Sequence, residues 1–138
     1  MIFRQVETED PTVKAIMRNC GSPNVKNSVA YLRVLRFQGG QILAEVADDK
    51  AVCISRFGKK HCRLIELAVC EEAHGKGYGS ALLSRLVARC RARGLERITF
   101  RCSISEGFFG FYVQHGALIT GTKDGDYEME IQVGDYVE

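Results

Sequence analysis

The 138 residues give room for one compact domain spanning 1–138 and none for a second, because a chain of about 150 residues already commits roughly two-thirds of its unfolded surface to one core. Apolar residues at 46% and charged residues at 26% exclude disorder and fibrous repeats, while 19 basic against 17 acidic residues leave a net charge of +2, too near balance to indicate a nucleic-acid partner. No apolar run is long enough to span a bilayer and residues 1–5 lack a basic-then-apolar leader pattern, so the expectation is a cytoplasmic protein with no membrane partner.

In chain order, residues 2–7 read as a strand, and Asp10-Pro11 as an N-cap with proline at the first helical position of a helix running to about Cys20. Gly21 ends it. Ser22-Pro23 repeats the start signal for a second helix carrying Val25, Val29, Ala30 and Leu32, and Val34-Leu35-Arg36-Phe37 fits strand or helix. From Gln41, Ile42, Ala44 and Val46 alternate with more polar positions, and Asp48-Asp49-Lys50 turns the chain into residues 51–57, a hairpin. Gly58-Lys59-Lys60 turns again into residues 62–70, a run apolar enough for a central strand. Leu82, Leu83, Leu86, Val87 and Cys90 then share one helical face, with Arg85, Arg89, Arg91 and Arg93 expected to form a solvated opposite face and Gly94 the stop.

Residues 98–102 resume as strand. A helix over about 105–115, ended by Gly116, leads to strands 117–122 and 127–133 around the turn Lys123-Asp124-Gly125-Asp126. The order β, α, α, β, β, β, α, β, α, β, β describes one α/β domain with a sheet of mixed strand direction. Six cysteines (Cys20, Cys53, Cys62, Cys70, Cys90, Cys102) lie mostly within apolar runs, and neither CxxC nor a Cys/His cluster of zinc spacing occurs. Reduced, buried thiols and no metal site are expected.

Chemistry concentrates in Val69-Cys70-Glu71-Glu72-Ala73-His74-Gly75-Lys76-Gly77-Tyr78-Gly79-Ser80, which joins the central strand to the strongest helix. Glycines at alternate positions let backbone approach a ligand, and the helix start offers N–H donors without intrahelical partners plus the positive end of the peptide dipoles. Lys76 adds charge, so the turn favours a phosphate. A P-loop needs GxxxxGK followed by Ser or Thr, yet Lys76 is followed by Gly77. A dinucleotide fold needs GxGxxG and an acidic residue after the next strand, whereas Ser80 holds the third glycine's place and that strand ends in Arg101-Cys102.

His74-Gly75-Lys76-Gly77-Tyr78-Gly79 resembles the signature of the GNAT acetyltransferase superfamily, Gln or Arg, two residues, Gly, one residue, then Gly or Ala, with His74 at the Gln/Arg place. Glu66-Leu67-Ala68-Val69 looks like that family's fourth strand. Phe111-Tyr112-Val113-Gln114-His115-Gly116-Ala117 looks like its Phe-Tyr-x-x-x-Gly-Phe ending, with Ala117 for the last phenylalanine. The likeness covers roughly residues 42–133.

What the resemblance implies is a GNAT-like fold and acetyl transfer from acetyl-CoA to an amine in one ternary complex. It further implies that strands four and five splay apart, that backbone near Leu67, Ala68 and Val69 binds pantetheine, with Val69 N–H on the acetyl oxygen, and that His74, Gly75, Lys76, Gly77, Tyr78, Gly79 and Ser80 hold the pyrophosphate. Ser105 stands where many members have an asparagine that contacts the cofactor. Tyr112 matches the family's general acid, with a packed core tyrosine as the structural alternative. Glu66, on the strand face opposite Val69, is the candidate base, directly or through water, or else a solvated or salt-bridged carboxylate. His61 and His115 compete as titratable groups, His115 reading as a capping or surface residue, and Cys70 as an acyl carrier lacks a paired histidine by spacing. The rivals are a non-catalytic acyl-CoA-binding regulatory module and a nucleotide-binding protein. The acceptor, a small molecule or peptide amine, is not specified by the motifs, and the oligomeric state is monomer or a homodimer through the terminal hairpin.

Overall fold

In a computed structural model, which describes residues 1–20, 41–105 and 107–137, strand β1 (Phe3–Val6) leads into helix α1 (Pro11–Arg18). The Asp10 carboxylate accepts the Thr12 N–H at 2.8 Å, satisfying one of the helix's orphan donors as the Asp-Pro signal predicts. The expected second helix from Ser22 and the ambiguous Val34-Leu35-Arg36-Phe37 run lie outside the described residues. Strands β2 (Gln41–Ala47) and β3 (Ala51–Phe57) are joined by Asp48 and Asp49 at φ of 49° and 54°, the two left-handed positions that a two-residue turn needs to match strand twist. Strand β4 (His61–Val69), a single tight turn at Glu71–Ala73, helix α2 (Tyr78–Ala92) and strand β5 (Arg97–Ser103) follow. Helix α3 (Phe109–Gln114) and the hairpin β6 (Leu118–Lys123) and β7 (Asp126–Gln132) complete the order, with Asp124 and Gly125 both at positive φ in the last turn.

The strands form one seven-stranded sheet in the order β1-β2-β3-β4-β5-β7-β6, antiparallel except for β4 beside β5. The mixed α/β sheet expected from the sequence is therefore present. Its two faces carry separate cores. Leu82, Leu83, Leu86, Val87 and Cys90 of α2 pack with Cys53, Phe57, Leu64, Ile98, Phe100 and Met129 on one side. Val13, Ile16 and Met17 of α1 pack with Ala44, Val46, Val52, Ile54 and Ala68 on the other. Burying each of these leucines contributes about 2 kcal/mol of transfer free energy. All six cysteines are buried and unbridged.

Glu45, between Ala44 and Val46, is only 2% exposed because β2 is covered on both faces. Arg85 and Arg89 of α2 both donate to its carboxylate, Arg85 in a two-pronged fork at 2.7 and 2.9 Å. The arginine face is solvent-exposed as expected at Arg85, Arg91 and Arg93, with Arg89 half-buried, and its guanidiniums also make contacts along the surface. Arg85 stacks on Phe3, Arg91 donates to the carbonyls of Val133 and Tyr136, and Arg93 bonds Gln41 while lying 4.0 Å above the Phe57 ring. A guanidinium is weakly hydrated and planar, which suits it to such contacts while it stays open to solvent. Finally, α3 begins at Phe109, leaving Ser105 in the preceding turn instead of on the helix.

Candidate functional site

Strands β4 and β5 are neighbours only through His61, Cys62 and Arg63 opposite Arg97, Ile98 and Thr99, after which they part. The splay implied by the sequence resemblance is thus built into the sheet. On its other edge β4 stays paired with β3 to the end, but Ile54 faces Glu66 while Ser55 faces Leu64, so Ile65 is an extra residue, a β-bulge. The bulge interrupts strict alternation, and Ile65, Glu66 and Leu67 are all half-buried against the opening.

Backbone direction follows from the same register. Cys70 N–H donates to the Lys50 carbonyl at 2.7 Å just beyond the Ala51–Val69 pair, which marks that pair as one whose own amide groups point away from each other. Val69, and by alternation Leu67, therefore turn their N–H and C=O groups toward the gap between β4 and β5, whereas Ala68 turns its groups toward β3. The Nε2–H of His74 donates to the Val69 carbonyl at 2.9 Å. That bond fixes the imidazole tautomer and ties the start of the glycine turn to the strand end.

Gly77 is the N-cap of α2 at φ +86°, with no side chain capping the helix, and Gly75 sits at φ +77°. A Cβ at either would meet nothing within 4 Å, so their backbone borders open space, while a Cβ on Gly79 would stand 3.2 Å from the Phe111 ring. The first turn of α2 carries no acidic residue and Lys76 is exposed beside it. An anion fits this end of the helix: donors are unpaired, the dipole is positive and no carboxylate competes. Tyr78 anchors the turn by donating its hydroxyl to Asp48 at 2.9 Å, and Asp48 also accepts the Ile2 N–H at 2.6 Å. These bonds from Ile2 and Tyr78 hold the Asp48 carboxyl below its ordinary value.

The gap, the turn and α3 enclose a cavity of about 690 Å³. Of the residues singled out in the sequence, Glu66, Leu67, Ala68, Val69, His74, Gly75, Gly77, Tyr78, Gly79, Ser80 and Tyr112 line it; Lys76 and Ser105 do not. The Ser105 hydroxyl instead meets that of Ser103, a lining residue, at 3.0 Å. The Tyr112 ring packs 4.4 Å from Phe100 and 5.2 Å from Phe111. Burial first, and then the nearby Glu66 charge, push its phenol well above the usual range, so it keeps its proton at neutral pH.

Cys70 and His61 stand outside the lining, and burial raises the Cys70 thiol, which disfavours the thiolate that an acyl carrier requires. His115 caps α3 with its backbone as expected, and its half-buried ring meets Ser80 at 3.0 Å and packs against Phe111 and Tyr136. Sequence reading missed Cys20, Arg101, Cys102, Ser103, Phe108 and Asp126 as lining residues. The one available signal is that Arg101, Cys102 and Ser103 end the strand after the glycine-turn helix, where α/β folds place ligands. Among the described residues no group of three or more His, Cys, Asp or Glu is placed to hold a metal, and no helix is long and apolar enough to cross a membrane.

Residues 27–116 match the sequence model of the acetyltransferase (GNAT) family. No curated protein matches the chain. Among solved structures, the PaiA N-acetyltransferase from Thermoplasma acidophilum in complex with coenzyme A superposes with a TM-score of 0.75 at 16% identity, covering 96% of this chain and 99% of that one. A ribosomal-protein alanine N-acetyltransferase from Escherichia coli gives 0.72 at 18% identity, covering 96% and 93%. Aminoglycoside 6'-acetyltransferase type Ii gives 0.74 at 18% identity, covering 96% and 97%. At these identities the likeness is one of fold.

Proposed function

This chain belongs to the GNAT acetyltransferase family, and from that premise we propose that it is a single-domain N-acetyltransferase moving acetyl from acetyl-CoA to a primary amine of a small molecule or peptide. The observation that carries the reading is the junction of an uncapped, glycine-built helix start with a parted pair of strands around one cavity that also holds a neutral tyrosine. Relatives of this fold are named as coenzyme A complexes and as acetyltransferases of aminoglycosides and of a ribosomal protein, which favours an amine acceptor without choosing one.

In this reading the N–H groups of Gly75, Lys76, Gly77, Tyr78, Gly79 and Ser80 hold the diphosphate, and Lys76 adds charge from outside the cavity. Backbone groups of Leu67 and Val69 bond the pantetheine arm in the manner of an added strand, with Val69 N–H on the acetyl oxygen. Ala68 contributes its methyl to the wall while its amide serves β3, and Ser105 acts through Ser103. Acetyl-CoA supplies the activated thioester. Tyr112 donates its proton toward the departing sulfur, and its high pKa means that this donation is completed only as negative charge develops there. Glu66, also in the cavity wall, takes a proton from the acceptor ammonium, directly or through water, so that the neutral amine attacks the thioester carbonyl. The place of Tyr112 inside the cavity favours catalysis over a purely regulatory acyl-CoA-binding role.

Calorimetry with CoA and acetyl-CoA should give saturable uptake by folded protein, and thiol release on a panel of amines should identify the acceptor. Absence of uptake of either compound ends this assignment.

A further inference from the structure

Four polar side chains beside the cavity form one chain of contacts. The Ser80 hydroxyl, in the first turn of α2 and part of the cavity wall, meets His115 Nε2 at 3.0 Å. His115 Nδ1 meets the Tyr136 hydroxyl at 3.4 Å, and that hydroxyl meets Ser84 Oγ at 3.0 Å one helical turn further along α2. The imidazole lies between the Phe111 ring at 4.7 Å and the Tyr136 ring at 6.1 Å, which favours this orientation. None of these contacts was foreseeable from spacing, since Ser80, His115 and Tyr136 come from three separate elements.

A hydroxyl both donates and accepts, and a neutral imidazole does one at each nitrogen, so the chain can run in either of two directions. In one, Ser80 donates to Nε2 and has no proton left for a ligand. In the other, Nε2–H donates to Ser80, and the serine proton is free to point into the cavity. An anion at the start of α2 stabilises the second arrangement, and so does protonation of His115, which makes both ring nitrogens donors.

We infer that His115 is a positioning residue that, through Nε2, turns the Ser80 hydroxyl toward the diphosphate of the acetyl donor and couples donor affinity to proton uptake by the imidazole. This rests on the acetyltransferase reading above and adds to it a residue outside the glycine turn. The charged groups on the elements packed around His115 are committed elsewhere or exposed. Arg85 and Arg89 of α2 hold Glu45, Arg91 holds the carbonyls of Val133 and Tyr136, and Asp135 of the terminal turn is exposed, while α3 carries no charge. Burial alone lowers the His115 pKa in the free protein, so the ring is neutral at pH 7 and binds a proton when the anion arrives.

The test is calorimetry with 3'-dephospho-CoA, whose diphosphate does not itself titrate near neutrality, on wild type, Ser80→Ala, His115→Phe and His115→Gln between pH 5.5 and 8. Wild type should bind more tightly as pH falls, by about tenfold for each unit by which the anion raises the imidazole pKa. Ser80→Ala and His115→Phe should bind several-fold more weakly, and neither should keep the slope. His115→Gln, whose amide can still donate to Ser80 but cannot titrate, should bind more tightly than His115→Phe and show no slope. Uptake by wild type and His115→Gln with coincident slopes, or by Ser80→Ala with wild-type affinity, overturns the inference and leaves the acetyltransferase reading standing. No uptake by folded wild type overturns both.

Discussion

At its N-terminal end α2 is capped by Gly77 without a side chain and its first amide donors face a cavity, whereas along its later turns Arg85, Arg89, Arg91 and Arg93 each find a protein partner. One helix thus contains a stretch where polar capacity is left open and a stretch where it is met internally. Both stretches are visible in the bare sequence, the first as glycines at alternate positions and the second as four arginines. The difference teaches that unpartnered backbone, and not the density of charged side chains, marks the end of this helix that suits an anion.

The comparison can be broken from either end. The largest effect is expected within the cavity, where Tyr112→Phe should lower kcat by about 100-fold while leaving donor affinity nearly as it was. Undiminished turnover in steady-state assays would remove the phenol from the reaction. Next comes Glu45→Ala at the other stretch, which leaves two guanidiniums without their buried carboxylate. A fully buried pair loses about 3–5 kcal/mol when broken, and since both arginines keep some solvent contact about 2–3 kcal/mol is expected here, read as a lower denaturation midpoint. Calorimetric affinity for CoA should not move, and a parallel loss of both would mean that the two stretches are not separable.

Gly77→Ala should do the reverse. Forcing a side chain into the left-handed region costs about 1–2 kcal/mol, and relief of that strain turns the amide donors away from the cavity, so the loss should appear mainly in CoA affinity. The smallest effect concerns acid. Burial raises the Glu45 carboxyl, but hydrogen bonds and charge from Arg85 and Arg89 outweigh it and leave the group below its ordinary value of 4.5. Its contribution is therefore complete above that value and lost as pH falls through the lower folded value. Glu45→Gln should flatten the stability curve in that acid window, and an unchanged curve would show that the pair carries no proton linkage.

Much of this fold was legible because its signals are local. Asp10 before Pro11, Asp124 before Gly125 and the five apolar positions of α2 each decide a structure within a few residues, and the glycine turn announced its anion-ready backbone in the same way. What escaped the reading depends on partners distant along the chain. Glu45 is buried only because Arg85 and Arg89 arrive from α2, and the bulge at Ile65 exists only in the register against β3. His115 likewise gains its partners only when α3, α2 and the terminal turn meet. Ser105 fell short of its helix because the chain does not turn helical until Phe109, beyond the positive-φ Gly107.

The parting of β4 and β5 has a consequence for solubility. A row of unsatisfied strand amides on the outside of a sheet recruits other chains and seeds aggregates. Here the unpaired backbone lies in the middle of the sheet, beside α2 and α3. The unpaired strand backbone is thereby kept within the sheet and away from its outer edges.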